Sequence, residues 1–347
     1  MSSAASTLAG KTLSALSETT AVALDADPVR RDTFNVGGIN THVYSLASLN
    51  LFGKPCPEEP IAALFVLHGR QGSMEMESIE KTARDAVLWA EGKKQKVKGQ
   101  GGKQRDFVVV TLDQRNHGGR LVEPLANNAW NPDPSVHNER HAIDMYAIYN
   151  GTARDVSFLI DFLPAYLFPN GERMVAHWAV AGISLGGHAT WYLLANEPRL
   201  RIGIPIIGCP AYLTMLAPRA LKASIPLAPP YIPTTLLSRI TADFPSFYQS
   251  SDPSLNPFIG KKILVLSGEK DRLVPWDASS AFVEGMEVGR EGRRKVRLQE
   301  GVGHEFTEEM RQALIEFFWE EALVSGVNTP AAVASSSVGA GAGSTRA

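Results

Sequence analysis

Gly182-Ile183-Ser184-Leu185-Gly186 sets a serine between two glycines, after the apolar run Trp178-Ala179-Val180-Ala181 and before a helical pattern that stops at Pro198. A serine at a sharp strand-to-helix turn is held in strained backbone, and glycines to either side keep the chain from clashing with itself. Its hydroxyl then stands above the sheet. The free N–H groups and positive dipole end of the next helix point to where an oxyanion would form. The chemistry suited to such a turn is attack on a carbonyl carbon and transfer of the acyl group to serine. Glycine, serine and glycine at this spacing also recur by chance, so the surroundings must decide.

Three further pieces follow the chain order serine, acid, histidine. Lys262-Ile263-Leu264-Val265-Leu266-Ser267 reads as a buried strand, followed by Gly268-Glu269-Lys270-Asp271-Arg272-Leu273-Val274-Pro275. A carboxylate just past a strand end can orient an imidazole. Asp271 is the leading choice; Glu269 and Asp277 compete with it, and a carboxylate here could instead pair with Lys270 or Arg272. Lys295-Val296-Arg297-Leu298 forms a short strand, and Gly301-Val302-Gly303-His304-Glu305-Phe306 sets a histidine in a glycine loop beside a helix. Upstream, the strand Ile61 to Leu67 ends in His68-Gly69-Arg70-Gln71-Gly72-Ser73.

On these residues the chain resembles the α/β-hydrolase superfamily, from about Phe34 to about Leu323. Within it, the likeness is to serine esterases and to dienelactone-hydrolase-like or acyl-peptidase-like members, with serine where dienelactone hydrolases proper carry cysteine. Thr111-Leu112-Asp113-Gln114-Arg115-Asn116-His117-Gly118 looks like the end of the next strand of such a sheet. The resemblance implies Ser184 as nucleophile, His304 as general base and Asp271 as the acid that orients it. It implies an oxyanion hole from the backbone N–H of Leu185 plus one from Arg70 or Gln71, and an acyl-enzyme that water resolves. No metal or organic cofactor is required. The expected function is a serine hydrolase acting on a carboxylic ester, its partner a small-molecule acyl substrate. A thioesterase or serine peptidase would use the same triad, and a non-catalytic ligand-binding protein could share the fold.

Other polar residues near these motifs carry two readings each. The Arg70 side chain could grip an acidic substrate group or lie on the surface over the sheet. His68 suits holding the oxyanion loop, and Arg115 and His117 either flank the site or fix a turn. His188, one turn into the helix after Ser184, reads as a packed residue. His137, His141 and His177 have no metal-ligand spacing with matching carboxylates.

The elements that must position these groups alternate along the chain. Thr33 to Leu46 reads as a hairpin turning at Gly37-Gly38. Helices are expected over Glu75 to Ala90 and from about Glu139 to Leu167. Alternating strands and helices imply an α/β fold with a doubly wound, mostly parallel sheet. Residues 209–258, rich in proline and carrying Tyr212, Tyr231, Phe244, Phe247 and Tyr248, stand where the superfamily this chain resembles commonly inserts a cap, and the resemblance implies a small cap here. These aromatic residues would favour an uncharged or hydrophobic substrate group, or would merely fasten the cap to the core.

The 347 residues, 44% hydrophobic and 20% charged, suffice for one large core. The expected organisation is a leader over 1–30, a hydrolase domain over 31–325 with the cap inside it, and a disordered tail over 326–347 of Ala, Ser, Gly and Val. A net charge of −2 gives no global field for nucleic acid or an anionic membrane. The lysine-rich stretch 91–105 reads as a solvated surface insertion, with a docking patch for an acidic partner as the lesser reading. Two cysteines, Cys56 and Cys209, make no disulfide framework. Met1 to Asp27 lacks a secretory pattern, and no run reaches the length of a membrane span, so a cytoplasmic location is the default.

If His304 must be neutral to act, activity falls on acidification through an apparent pKa near or below that of free histidine, roughly 6.5. A rate profile that stays flat down to about pH 4 would contradict this role.

Overall fold

The computed structural model describes residues 27–49, 60–97 and 104–324. The strands are β1 (Val29–Val36), β2 (Ile39–Leu46), β3 (Ile61–Leu67), β4 (Phe107–Leu112), β5 (Val175–Ile183), β6 (Leu200–Ile206), β7 (Lys262–Gly268) and β8 (Arg293–Gln299), the central ones short runs rich in Val, Ile, Leu and Ala and the edge strands β1 and β8 more polar. They form one eight-stranded sheet in the order β1-β2-β4-β3-β5-β6-β7-β8. The β1–β2 hairpin turns at Gly37-Gly38 and joins antiparallel, β2 pairs antiparallel with β4, and the remaining pairs are parallel.

Both faces of this sheet are covered, so its central strands have no polar side to show. All seven residues of β3 are buried. Ala63, Phe65 and Leu67 face one apolar cluster; Ala62, Leu64 and Val66 face another. The first cluster is completed by α2 (His141–Leu167), α3 (Leu185–Asn196) and α4 (Tyr212–Lys222). The second is closed by α1 (Glu77–Val97) and α7 (Glu308–Phe318). A helix layer on each side is what a parallel sheet of continuous apolar strands requires. β3 pairs with β4 on one side and β5 on the other, so the strand order reverses between them. The crevice outside the carboxyl ends of β3 and β5 is therefore the natural place for a ligand.

The structure departs from the sequence expectations in several places. Val29 and Arg30 already belong to β1, so the leader expected over 1–30 runs too far; residues 1–26, like the tail over 326–347 and Cys56, lie outside the described residues. Helix α1 continues well beyond Ala90, so Lys93, Lys94 and Lys96 are helical and do not belong to an inserted loop. Favourable electrostatics at the helix end explain the extension: Lys94 and Lys96 sit in its last turn, and Lys94 pairs with Asp106 at 2.9 Å. Residues 98–103 of the same stretch lie outside the described residues. Arg115 fixes a turn: its Nε and Nη2 both donate to the buried Asp155 of α2, which Arg120 also meets at 2.8 Å.

Residues 209–258 carry α4 and α5 (Thr234–Asp243). Most of the aromatic residues here fasten the segment down. Tyr212 donates to the Ala142 carbonyl at 2.6 Å, and Phe244 and Tyr248 pack on Phe282 of α6 (Asp277–Gly285). Tyr231 packs on the core, while Phe247 is exposed. Among the described residues no helix is long and apolar enough to cross a membrane.

Asp155 ties the loop after β4 to α2 through two arginines. Asp155→Ala should cost about 2 kcal/mol in urea unfolding, below the usual price of a broken buried pair because Arg115 is half exposed. An unchanged unfolding midpoint would show that the turn holds without it.

Candidate active site

Ser184 sits between the last residue of β5 and the first of α3 with φ 54° and ψ −107°, a backbone conformation that non-glycine residues avoid. Its flanking glycines explain how the turn fits. A Cβ on Gly182 would collide with the Gly186 backbone, and one on Gly186 would lie 2.6 Å from the Leu67 carbonyl and 2.8 Å from that of His68. The first turn of α3 is thereby pressed against the end of β3. Four of the five described non-glycine residues with positive φ stand at this edge of the sheet: Gln71 after β3, Asn116 after β4, Ser184 after β5 and Ile207 after β6. Backbone strain gathered along one edge is common at functional sites.

His304 reaches this edge from the loop between β8 and α7. That loop is tied to the end of β7 by Lys270 N–H on the Val302 carbonyl at 2.8 Å and Glu269 N–H on Gln299 at 2.9 Å. The His304 Nε2 lies 2.9 Å from Ser184 Oγ, and its Nδ1 lies 2.7 Å from Asp271 Oδ2. A carboxylate only accepts, so Nδ1 carries the proton and Nε2 presents a lone pair to the serine hydroxyl. Asp271 is buried, and its Oδ1 accepts from the backbone N–H groups of Leu273 and Val274, each at 2.8 Å. The competing carboxylates are elsewhere: Glu269 accepts from Gly301 N–H at 2.9 Å, and Asp277 opens α6.

The loop after β3 passes close by, since a Cβ on Gly69 would stand 3.7 Å from Ser184 Cβ. Among the described residues the backbone N–H groups of Leu185, Arg70 and Gln71 have no hydrogen-bond acceptor. His68 holds this loop: Nδ1 lies 2.7 Å from the Gly69 carbonyl and Nε2 accepts from Gln114 N–H at 3.0 Å. The bond that Nε2 accepts demands the neutral ring, and burial pushes its pKa down to about 4. His188 is likewise pushed down to about 3 by burial, packed against Tyr149 with Nδ1 at Cys209. His117 turns Nδ1 to the Arg115 carbonyl at 2.9 Å. Among the described residues no group of three His, Cys, Asp or Glu side chains could hold a metal ion.

Some residues of this edge escaped the sequence reading. Asn116 at φ 58° receives the N–H groups of Val122 and Glu123 and donates to Glu123 O, organising the loop beside the site. Asn at a positive φ is a recognisable turn signal. Ile207 at φ 43° carries no such signal, because a β-branched residue is the last expected there.

Gly186→Ala forces a methyl group onto two carbonyl oxygens and should destabilise the fold by about 1–3 kcal/mol while shifting the serine turn. Thermal unfolding reads the first effect; a midpoint equal to that of the wild type would mean that the contact between α3 and β3 relaxes freely.

No family model and no curated protein matches this sequence. Solved structures do resemble it. TT1662 from Thermus thermophilus is 20% identical, with 85% of this chain and 99% of that one covered and a TM-score of 0.55. An acetyl xylan esterase from Paenibacillus sp. R4 is 15% identical over 86% of each chain, with a TM-score of 0.52. The acylaminoacyl peptidase of Pyrococcus horikoshii is 15% identical over 87% of this chain but only 42% of its own length, with a TM-score of 0.51. With its reversed strand order, buried parallel strands and serine turn after β5, the chain has the α/β-hydrolase fold.

Proposed function

We propose that the protein is a serine hydrolase that cleaves a carboxylic ester through an acyl-enzyme on Ser184. The observation that carries this reading is the chain of contacts from Asp271 Oδ2 to His304 and from His304 to Ser184 Oγ, at 2.7 and 2.9 Å. A serine hydroxyl is a poor nucleophile at neutral pH, and the Nε2 lone pair is aligned to take its proton during attack. The imidazolium that results is stabilised by Asp271, whose carboxylate is held by two backbone N–H groups. The unpaired N–H of Leu185, with that of Arg70 or Gln71, would receive the negative oxygen of the tetrahedral intermediate, each donor contributing about 3 kcal/mol. The proton then passes from His304 to the leaving alcohol, and water, deprotonated by the same ring, frees the acid. Acetyl xylan esterase and acylaminoacyl peptidase are the names of proteins with similar folds, and both names agree with acyl transfer.

Three variants test the roles on a panel of p-nitrophenyl esters of increasing acyl length. Ser184→Ala and His304→Ala should each lower kcat by about 10⁶-fold, and Asp271→Asn by about 10⁴-fold through the wrong histidine tautomer. A fluorophosphonate probe should label the wild type and spare Ser184→Ala. Equal labelling of both proteins, or none of the folded wild type, would refute the enzyme reading.

A further inference from the structure

Two guanidinium groups stand near the proposed nucleophile and, among the described residues, no carboxylate is paired to either. Arg70 follows Gly69, whose backbone lies against the Ser184 side chain. Its Nη1 is buried without a hydrogen-bond partner, and among the described residues no acidic group forms an ion pair with it. Arg219 descends from α4. It gives Nε and Nη2 to a single acceptor, the Leu273 carbonyl, with Nε at 3.1 Å, while Nη1 has only the Met145 sulfur at 3.9 Å. Leaving a buried charge unpaired is costly, and the cost is ordinarily met by a counter-charge.

Arg219 is tied to the Leu273 carbonyl, and the Leu273 N–H is in turn held by Asp271, while Arg70 follows the glycine that lies against Ser184. His188 feels the charges of Arg219, His304 and Arg70, and His141 those of Arg70 and Arg219. Burial, and then repulsion from Arg70, pushes the pKa of Arg219 down to about 10, so both guanidiniums stay charged at neutral pH. His141 and His188, both pushed down to about 3 by burial, are neutral. The carboxylate whose charge Arg219 feels is Asp271, and its oxygens are taken by His304, Leu273 and Val274. Most of the aromatic residues of 209–258 serve to fasten that segment, and Arg219 is the cation it brings toward the site.

We infer that Arg70 and Arg219 form an anion-binding subsite beside Ser184, and that the ester cleaved there carries a carboxylate on its acyl or its alcohol part. A carboxylate is the planar anion that a guanidinium edge meets with two parallel hydrogen bonds. The inference rests on Ser184 being the nucleophile, and the subsite itself is testable without turnover.

Two substrate pairs separate the acyl and alcohol sides: monoethyl succinate against ethyl pentanoate, and para-acetoxybenzoate against its methyl ester. The charged member of one pair should have the higher kcat/KM by at least about tenfold. Arg219→Gln and Arg70→Gln should each shrink that ratio about tenfold, mainly through KM, and Arg219→Lys should retain part of it; circular dichroism checks that each variant folds. A ratio of one or less in both pairs, unchanged by the arginine variants, would overturn the subsite while leaving the hydrolase intact. If no ester is turned over, ligand-observed NMR of monoethyl succinate with Ser184→Ala decides the subsite alone. Binding lost in the arginine variants would support it, and absence of binding would refute it.

Discussion

The close approach between the end of β3 and the start of α3 is the constraint on which the rest of the site depends. Gly186 lies so near the Leu67 and His68 carbonyls that no side chain fits between them. This contact lets Ser184 occupy a backbone conformation costing about 1–3 kcal/mol, and it brings the Gly69–Gln71 loop over the serine. The strain is held by the sheet. Ser184 N–H donates to the Ile206 carbonyl at 2.9 Å and Ile207 N–H to that of Leu266 at 2.7 Å, so the carboxyl ends of β5, β6 and β7 are laced together. A turn stranded alone in solvent would relax; one clamped between buried parallel strands cannot.

Electrostatic sorting around that edge separates rings by what they touch. His68 and His188 are enclosed and bonded to backbone, and burial keeps them neutral, so they act as fixed spacers. His304 keeps its side chain 21% exposed and stands between a buried carboxylate and a hydroxyl. Of these rings, His304 is the one with both a carboxylate partner and access to solvent. Arg115 shows the opposite case near the same loop: its partner Asp155 commits it to holding the loop in place. Among the described residues Arg70 and Arg219 have no acidic partner, which leaves their charge available to a ligand.

Much of this was legible in the sequence, and the physical reason is local. The Gly-x-Ser-x-Gly turn after an apolar run, the strands flanking Asp271 and His304, and the hairpin at Gly37-Gly38 are short-range patterns in which residue type dictates backbone geometry. The order of serine, acid and histidine added a constraint that spacing alone lacks. The end of α1 is not legible in this way, because lysines and glycines resemble a loop in composition, whereas Lys94 in the last helical turn and its partner Asp106 favour helix.

What only the tertiary structure decided is which distant groups meet and what each has left to bond. That His304 meets Asp271 and not Glu269 required the loop of His304 to fold back over β7, a contact between residues 33 apart in sequence. The positive φ of Ile207 has no signature in residue type, because the packing of β6 and β7 imposes it. Arg70 and Arg219 look alike on paper to any surface arginine. Their half-burial and, among the described residues, the lack of an acidic partner follow from how the loop after β3 and α4 pack, and sequence by itself encodes no such arrangement.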